Sequence, residues 1–463
     1  MKKNNGNSLA RYIGYGIGAV GLDLSYGLFY SYLSKYLTDV LLMPAPFLLI
    51  LTPIARIWDG INDPMMGVIV DSTKTRMGKY RPWILIGTFC NAIVLAMMFT
   101  NPGIRLGSVG MFVYVAVMYV LWGMTNTMAD IPYWSMVPSF TNDPSERNTV
   151  STIARTFSGI GQGIITICTP YALVLLGTGA NEAEKKISAQ GFSRWAIICA
   201  VLLVMFAVIC VSVTKERHVV YNKEKFSFRK LFDVVKSNDQ LVVLMIFAML
   251  SNAGWYLTSG VGAYYFEDVE GDITKQSTFA IFGAVGSFLG LFVIPIMSKK
   301  YTRRTIYRFC LIMVIVGYLI MILCGPVLHQ TMLLNIAYII ASIGIASMFV
   351  NQTVMLADIV DYGEYKTGKR SESTTFSMKG FLQKMAYTLQ TIILFSGLGL
   401  SGYEGEAETQ TALSQNTISV MTFVIPPILV LISFLVFSKK YKLYGELADK
   451  VHAFVDARQA NME

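Results

Sequence analysis

The sequence predicts an all-α integral membrane protein with twelve transmembrane helices in two six-helix bundles. Three observations carry that prediction. Of the 463 residues, 54% are hydrophobic and only 14% charged, with a mean hydropathy of +0.51, whereas soluble domains are about a quarter charged. Apolar stretches long enough to cross a bilayer, which takes about 20 residues of helix, recur twelve times. One long polar break at roughly 214–239 leaves six stretches on either side. Both halves then share an orientation, the layout of two bundles related by an axis along the membrane normal.

The spans run in order over 12–38, 46–70, 82–101, 108–138, 149–176 and 193–213, then 240–266, 276–297, 306–325, 332–360, 374–401 and 416–438. The domain organisation is therefore an N-terminal bundle over 1–213, a central cytoplasmic loop over 214–239, a C-terminal bundle over 240–438 and a cytoplasmic tail over 439–463. In the central loop Phe226, Phe228, Leu231, Phe232 and Val235 interleave with Lys and Arg. That pattern suggests a short helix on the inner membrane surface, or a solvated linker tying the halves together.

The formal charge of +9 is placed by topology. Lys74, Arg76, Lys79 and Arg81 follow the second span, Lys299, Lys300, Arg303 and Arg304 the eighth, and Lys366, Lys369 and Arg370 the tenth. The opposite loops carry Glu267, Asp268, Glu270, Asp272, Glu404, Glu406 and Glu408. This is the positive-inside pattern, with both termini cytoplasmic in a multi-pass protein of the inner (cytoplasmic) cell membrane. The basic residues face anionic lipid headgroups, and nucleic acid is not an expected partner. The six cysteines fall in apolar spans without CxxC spacing and the three histidines in loops or tails. A zinc site, a disulfide framework and a histidine proton relay are thus not expected. No cleaved signal peptide is expected, and no nucleophile–histidine pair suggests an enzyme.

The stretch ARIWDGINDP at 55–64 places Arg56, Asp59 and Asp63 inside the second span. A charge at bilayer depth costs about 2.5–3.5 kcal/mol on insertion scales. On a helix 56, 59, 60 and 63 share a face, with the amide of Asn62 close by. Asp23, Asp130, Arg155 and Lys384 lie mid-span elsewhere. Asp23, Asp59, Asp63 and Asp130 against Arg56, Arg155 and Lys384 leave one net negative charge, which one monovalent cation would balance. Buried ion pairs holding helices together are the alternative, but such pairs are a poor source of stability. Asp59 and Asp63, with Arg56 partly relieving their repulsion, suit a proton, or Na+ or Li+ bound by carboxylate oxygens and the Asn62 carbonyl. No other cofactor is expected.

In the fourth span, MTNTMADIPYWSMVP sets Asp130 four residues before Trp134, on one face if the helix continues through Pro132. A carboxylate beside an indole offers a neutral sugar an acceptor for hydroxyls and a flat face for ring C–H groups. Arg155 and Lys384 can donate to hydroxyls, and Thr127 can serve either cation or substrate.

ARIWDGINDPMMG, TRMGKYRPWILIG, TMADIPYWSMVP and ADIVDYGEYKTGKRSES, in this order, resemble the melibiose carrier family. These are the glycoside–pentoside–hexuronide:cation symporters of the major facilitator superfamily. The resemblance implies a cation site at Asp59, Asn62, Asp63 and Thr127, with Arg56 balancing charge. It implies a sugar site at Asp23, Asp130, Trp134, Arg155 and Lys384, with Tyr30 and Asn126 nearby. It also places Asp358, Asp361 and Arg370 in a cytoplasmic gate region, although locally they could equally be a helix-end salt-bridge set. The chain departs from the melibiose carriers in having Leu22 before the first-span aspartate, Asn126 for Tyr, Phe349 for Trp, and Lys379, Gly380 and Gln383 in the eleventh span. Lys379 could meet a uronate carboxylate or snorkel toward the cytoplasm.

The expected function is import of a small glycoside or oligosaccharide by symport with Na+, Li+ or H+ through alternating access. The competing expectations are a uronide or lysolipid carried by the same fold, or a membrane sensor that binds sugar without moving it.

Overall fold

The computed structural model describes residues 5–140, 144–177, 187–216, 228–368 and 372–460. Inside a bilayer every backbone polar group must be satisfied within the segment, and the chain is accordingly helical. Its first half forms α1 (Asn5–Asp39), α2 (Ala45–Ser72), α3 (Arg81–Met98), α4 (Val109–Ser135), α5 (Pro144–Leu175) and α6 (Ala189–Val213). Short α7 (Phe228–Ser237) follows. The second half forms α8 (Asp239–Tyr264), α9 (Lys275–Met297), α10 (Arg303–Ile322), α11 (Thr331–Thr367), α12 (Glu372–Ser401), α13 (Ala412–Ser419) and α14 (Ile425–Lys440). The twelve spans read from the sequence correspond to α1–α6, α8–α12 and the α13–α14 pair, the ends differing most at the start of α1 and the end of α11. The tail carries α15 (Glu446–Ala460), whose Phe454 sets its ring edge-on against Tyr365 of α11 at 5.6 Å. The helix expected in the central break is α7, whereas Phe226 and Arg370 lie outside the described residues.

Polar side chains mark where helices begin. Ser108, Ser188 and Thr302 accept hydrogen bonds from the backbone N–H of Met111, Gly191 and Thr305, capping α4, α6 and α10. Wide π turns at Tyr265–Val269 and Leu323–Val327 extend α8 and α10, and a third at Val420–Val424 joins α13 to α14. Among the described residues, nine helices are long and apolar enough to cross a membrane by length and composition. The long helices outside that set are α1, α2 and α12, which carry Asp23, the Arg56–Asp63 cluster, and Lys379 with Lys384 respectively.

The chain divides into two compact units. The first comprises 1–226 with the segments 266–277 and 402–411; the second comprises 227–265, 278–401 and 412–463. Within the first, α1 packs on α5 and α6, α3 on α4 and α6, and α2 on α4. Its α2–α3 connector is held by Glu216, whose carboxylate accepts the backbone N–H groups of Lys79, Tyr80 and Arg81 at 2.7–3.1 Å. Arg81 in turn donates to the carbonyl of Val211 near the end of α6. Lys79 pairs with Asp71 at 2.6 Å. Burial works to lower the Lys79 ammonium, but the hydrogen bond it donates to Asp71 and the charge of that carboxylate hold it above the ordinary lysine range. Within the second unit α10 packs on α11, and α8 on α12 and α14.

Candidate functional site

Arg56, Asp59 and Asp63 lie one and two turns apart on α2, and the face they share is turned to α4. Arg56 is 2% exposed and Asp59 4%. The guanidinium donates to Asp59 Oδ2 at 2.6 Å, to the hydroxyl of Tyr30 on α1 at 2.8 Å and to that of Tyr119 on α4 at 3.1 Å. It also lies 5.1 Å from the ring centre of Tyr30 and 5.7 Å from those of Phe29 and Tyr119. A guanidinium with five donors in a fixed fork suits such a cage of acceptors and ring faces. Gly123 of α4 makes room for Asp59: a Cβ there would fall 2.6 Å from Asp59 Oδ1.

Asp63, one turn further along α2, accepts a 2.9 Å hydrogen bond from Thr127 of α4. Asn62 is buried, and its Nδ2 has no hydrogen-bond partner among the described residues. The amide can be turned to present its oxygen instead. Two carboxylates, a hydroxyl and this amide offer oxygen donors of the kind hard cations take, with one carboxylate already compensated by Arg56.

One turn beyond Thr127, the Trp134 indole N–H donates to Asp130 Oδ1 at 2.9 Å. Helix α4 does continue through Pro132 to Ser135, so the two share a face. The Arg155 guanidinium, from α5, stacks 3.8 Å from the centre of the Trp134 ring. Asp23 of α1 lies beside Ser158 of α5 and interacts electrostatically with Asp130 and Arg155. Asp23, Asp130, Trp134 and Arg155 therefore form one group in the first unit, and Asn126 is half-buried on the same helix as two of them.

Tyr30, which the resemblance sets near the sugar residues, accepts a hydrogen bond from Arg56 through its hydroxyl. Lys384 is half-buried on α12 in the second unit. Asp358, also there, pairs with Arg303 at the start of α10, and Asp361 lies one turn on along α11. Lys379 donates to Thr353 Oγ1 at 2.8 Å.

Sequence reasoning missed several residues that hold the site together. Asn91 of α3 accepts from Ser25 of α1 at 2.7 Å and donates to Thr125 of α4 at 3.1 Å, while the Trp122 indole donates to Ser25 at 3.2 Å. Trp122 also stacks on Phe29 at 3.5 Å. These neutral polar residues fix α1 and α4 in register beside the charged groups, and nothing distinguishes them in the sequence from ordinary buried Ser, Thr and Asn. Tyr119 was missed for the same reason. Lys35 and Asp39, at the end of the first span, had a visible signal in their i, i+4 spacing but were left out of the charge count.

A model of the family described as MFS/sugar transport protein matches residues 14–444. The chain belongs to this family. Membership agrees with the resemblance of its motifs to the melibiose carriers, and it makes the chain a multi-pass membrane transporter. Among relatives in the family, the lactose permease of Lactobacillus helveticus is 27% identical, over 98% of this chain and 72% of its own length. The raffinose carrier protein of Pediococcus pentosaceus is 26% identical, over 93% and 69%. The isoprimeverose transporter of Lactiplantibacillus pentosus is 28% identical, over 88% and 84%. Solved structures share the fold: the nucleoside transporter NupG superposes with a TM-score of 0.68 at 13% identity, covering 93% of this chain and 100% of the other. A D-xylose–proton symporter superposes with a TM-score of 0.65 at 10% identity, covering 94% and 97%.

Proposed function

We propose that this member of the MFS/sugar transport family imports a small glycoside by symport with Na+, Li+ or H+, from the inner membrane of the cell with both termini cytoplasmic. The observation that carries the reading is the composition of α4. Thr127 bonds Asp63 in the oxygen-rich set, and Asp130, one turn later, bonds Trp134 in the indole–carboxylate set. Filling either set acts on the same helix segment, so binding of one ligand acts on the affinity for the other, and linkage makes that effect equal in both directions. Asp59, Asn62, Asp63 and Thr127 receive the cation. Asp23, Asp130, Trp134 and Arg155 receive the sugar, whose ring covers the indole face while its hydroxyls meet the carboxylates and guanidinium. Relatives named for lactose, raffinose and isoprimeverose support a saccharide substrate.

A second reading, an acidic sugar such as a uronide, draws on the second unit alone. There a pocket is lined by Asn252, Phe349, Gln352, Lys379 and Gln383 among apolar side chains. One experiment separates the two. The full chain in liposomes is given α- and β-glycosides and uronides under imposed Na+, Li+ or H+ gradients. Neutral glycoside uptake driven by one of the gradients is expected. Asp59→Cys should abolish cation stimulation while leaving sugar binding, and Asp23→Ala should eliminate sugar binding. Uptake of none of the sugars under any gradient refutes the proposal, and uptake of uronides alone transfers it to the second reading.

A further inference from the structure

A second buried charge cluster lies at the far end of α1, away from the groups just described. Lys35, on the last turn but one of α1, is 1% exposed. Its ammonium sits 2.7 Å from Asp39, 2.5 Å from Asp268, 3.0 Å from the Tyr403 hydroxyl and 3.4 Å from Glu267. The Tyr403 hydroxyl, which accepts from Lys35, lies 2.9 Å from Asp39 and 3.1 Å from Asp268 and donates to one of these carboxylates. Glu267 accepts the backbone N–H of Ile187 at 2.9 Å.

The partners come from two connectors. Glu267 and Asp268 stand where α8 passes into α9, and Tyr403 where α12 passes into α13. These helices belong to the second unit, yet the segments 266–277 and 402–411 fold as part of the first. The fit to α1 is steric as well as ionic. A Cβ on Gly405 would fall 2.3 Å from the carbonyl oxygen of Thr38 and 2.7 Å from Cα of Asp39, so only glycine lets the connector backbone lie so close.

We infer that Lys35 is the pin of a releasable lock that fastens both connectors to the end of α1. A buried ion pair gains little net stability, because desolvation offsets most of the attraction. A cluster of this kind holds while every partner is present, and each group recovers its hydration when the connectors lift. An apolar patch would hold equally well but would gain nothing from water on opening. The lock stands at the end of α1 opposite the basic α2–α3 connector, where the first unit meets chain leading into the other. Movement of either connector away from α1 therefore requires its release. From the proposed function the inference takes only that access alternates; it does not depend on which solute moves.

The test is hydrogen–deuterium exchange of the full chain in lipid nanodiscs, without substrate. In the wild type the segments 266–277 and 402–411 are expected to open together in one cooperative step, seen as bimodal isotope envelopes with a shared rate. Lys35→Met should speed exchange in both segments tenfold or more, with α2, α3 and α4 unchanged. Gly405→Val, which alters no charge, should do the same, and Tyr403→Phe should give at least threefold. Wild-type protection of the connectors in Lys35→Met, or loosening of one connector without the other, overturns the lock. If Lys35→Met does not fold, Gly405→Val decides by the same criterion.

Discussion

Arg56 and Lys35 are both cations sealed inside the first unit, and they are held in opposite ways. The partners of Arg56 lie on α1, α2 and α4, helices of one bundle, with its carboxylate only three residues away. Two partners of Lys35 come from chain 233 and 368 residues further on. Arg56 faces one carboxylate, two hydroxyls and three ring faces, an environment that a planar, weakly hydrated guanidinium tolerates. Lys35 faces three carboxylates and a phenol, the setting for a compact, strongly hydrated point charge that water can reclaim. The difference teaches that burial alone does not define a role. In the two proposals, accordingly, the cation held between helices is assigned to a binding site and the one held by connectors to a lock.

The largest effect expected from this contrast is on stability. Arg56→Met strands Asp59 among helices that cannot move aside, and breaking a buried pair costs about 3–5 kcal/mol. Lys35→Met also strands carboxylates, but the connectors that carry two of them can swing into water. Thermal denaturation of the purified variants should therefore show a much larger loss for Arg56→Met than for Lys35→Met. Equal losses would mean that the Lys35 cluster is as rigidly built as the Arg56 one.

How much of this was legible beforehand follows the same division. Hydropathy reports what lipid demands of a helix, so the spans could be read closely from it. Charges stranded mid-span report an electrostatic cost, so Asp23, Arg56, Asp59, Asp63, Asp130 and Arg155 could be singled out. Groups whose role depends on a fold-back of distant chain carry no such mark. Glu267, Asp268 and Glu404 read alike as acidic loop residues, yet two of the three surround Lys35. Asn91, Ser25 and Thr125 form a closed neutral network whose members are individually unremarkable in composition. The resemblance set Tyr30 near the sugar, whereas its hydroxyl on α1 accepts from Arg56 of α2.

A smaller effect sharpens the site half of the comparison. Thr127→Val keeps the shape of the side chain and removes the hydroxyl that donates to Asp63. A hydrogen bond to a charged group contributes about 1.5–3 kcal/mol. If Thr127 serves the cation set, the cation concentration giving half-maximal stimulation of sugar binding should rise by roughly 10- to 100-fold, since about 1.4 kcal/mol is a factor of ten. Sugar affinity at saturating cation should hardly change. An equal weakening of both would place Thr127 with the sugar instead.

The smallest effect concerns the cage around Arg56. Tyr119→Phe leaves the ring that faces the guanidinium and removes one acceptor at 3.1 Å. Tyr30 and Asp59 remain as acceptors, so the arginine stays paired and the protein stays folded. The guanidinium then has one fewer alternative to Asp59 and holds that carboxylate more firmly against an incoming cation. Cation affinity should fall by a few-fold, within the roughly 0.5–1.5 kcal/mol of an ordinary hydrogen bond, and exchange of the connectors 266–277 and 402–411 should not change. A rise in cation affinity would show that Tyr119 presses Arg56 onto Asp59 rather than drawing it away. Loosened connectors would show that the two buried cations, alike in burial and unlike in construction, report to one another through α1.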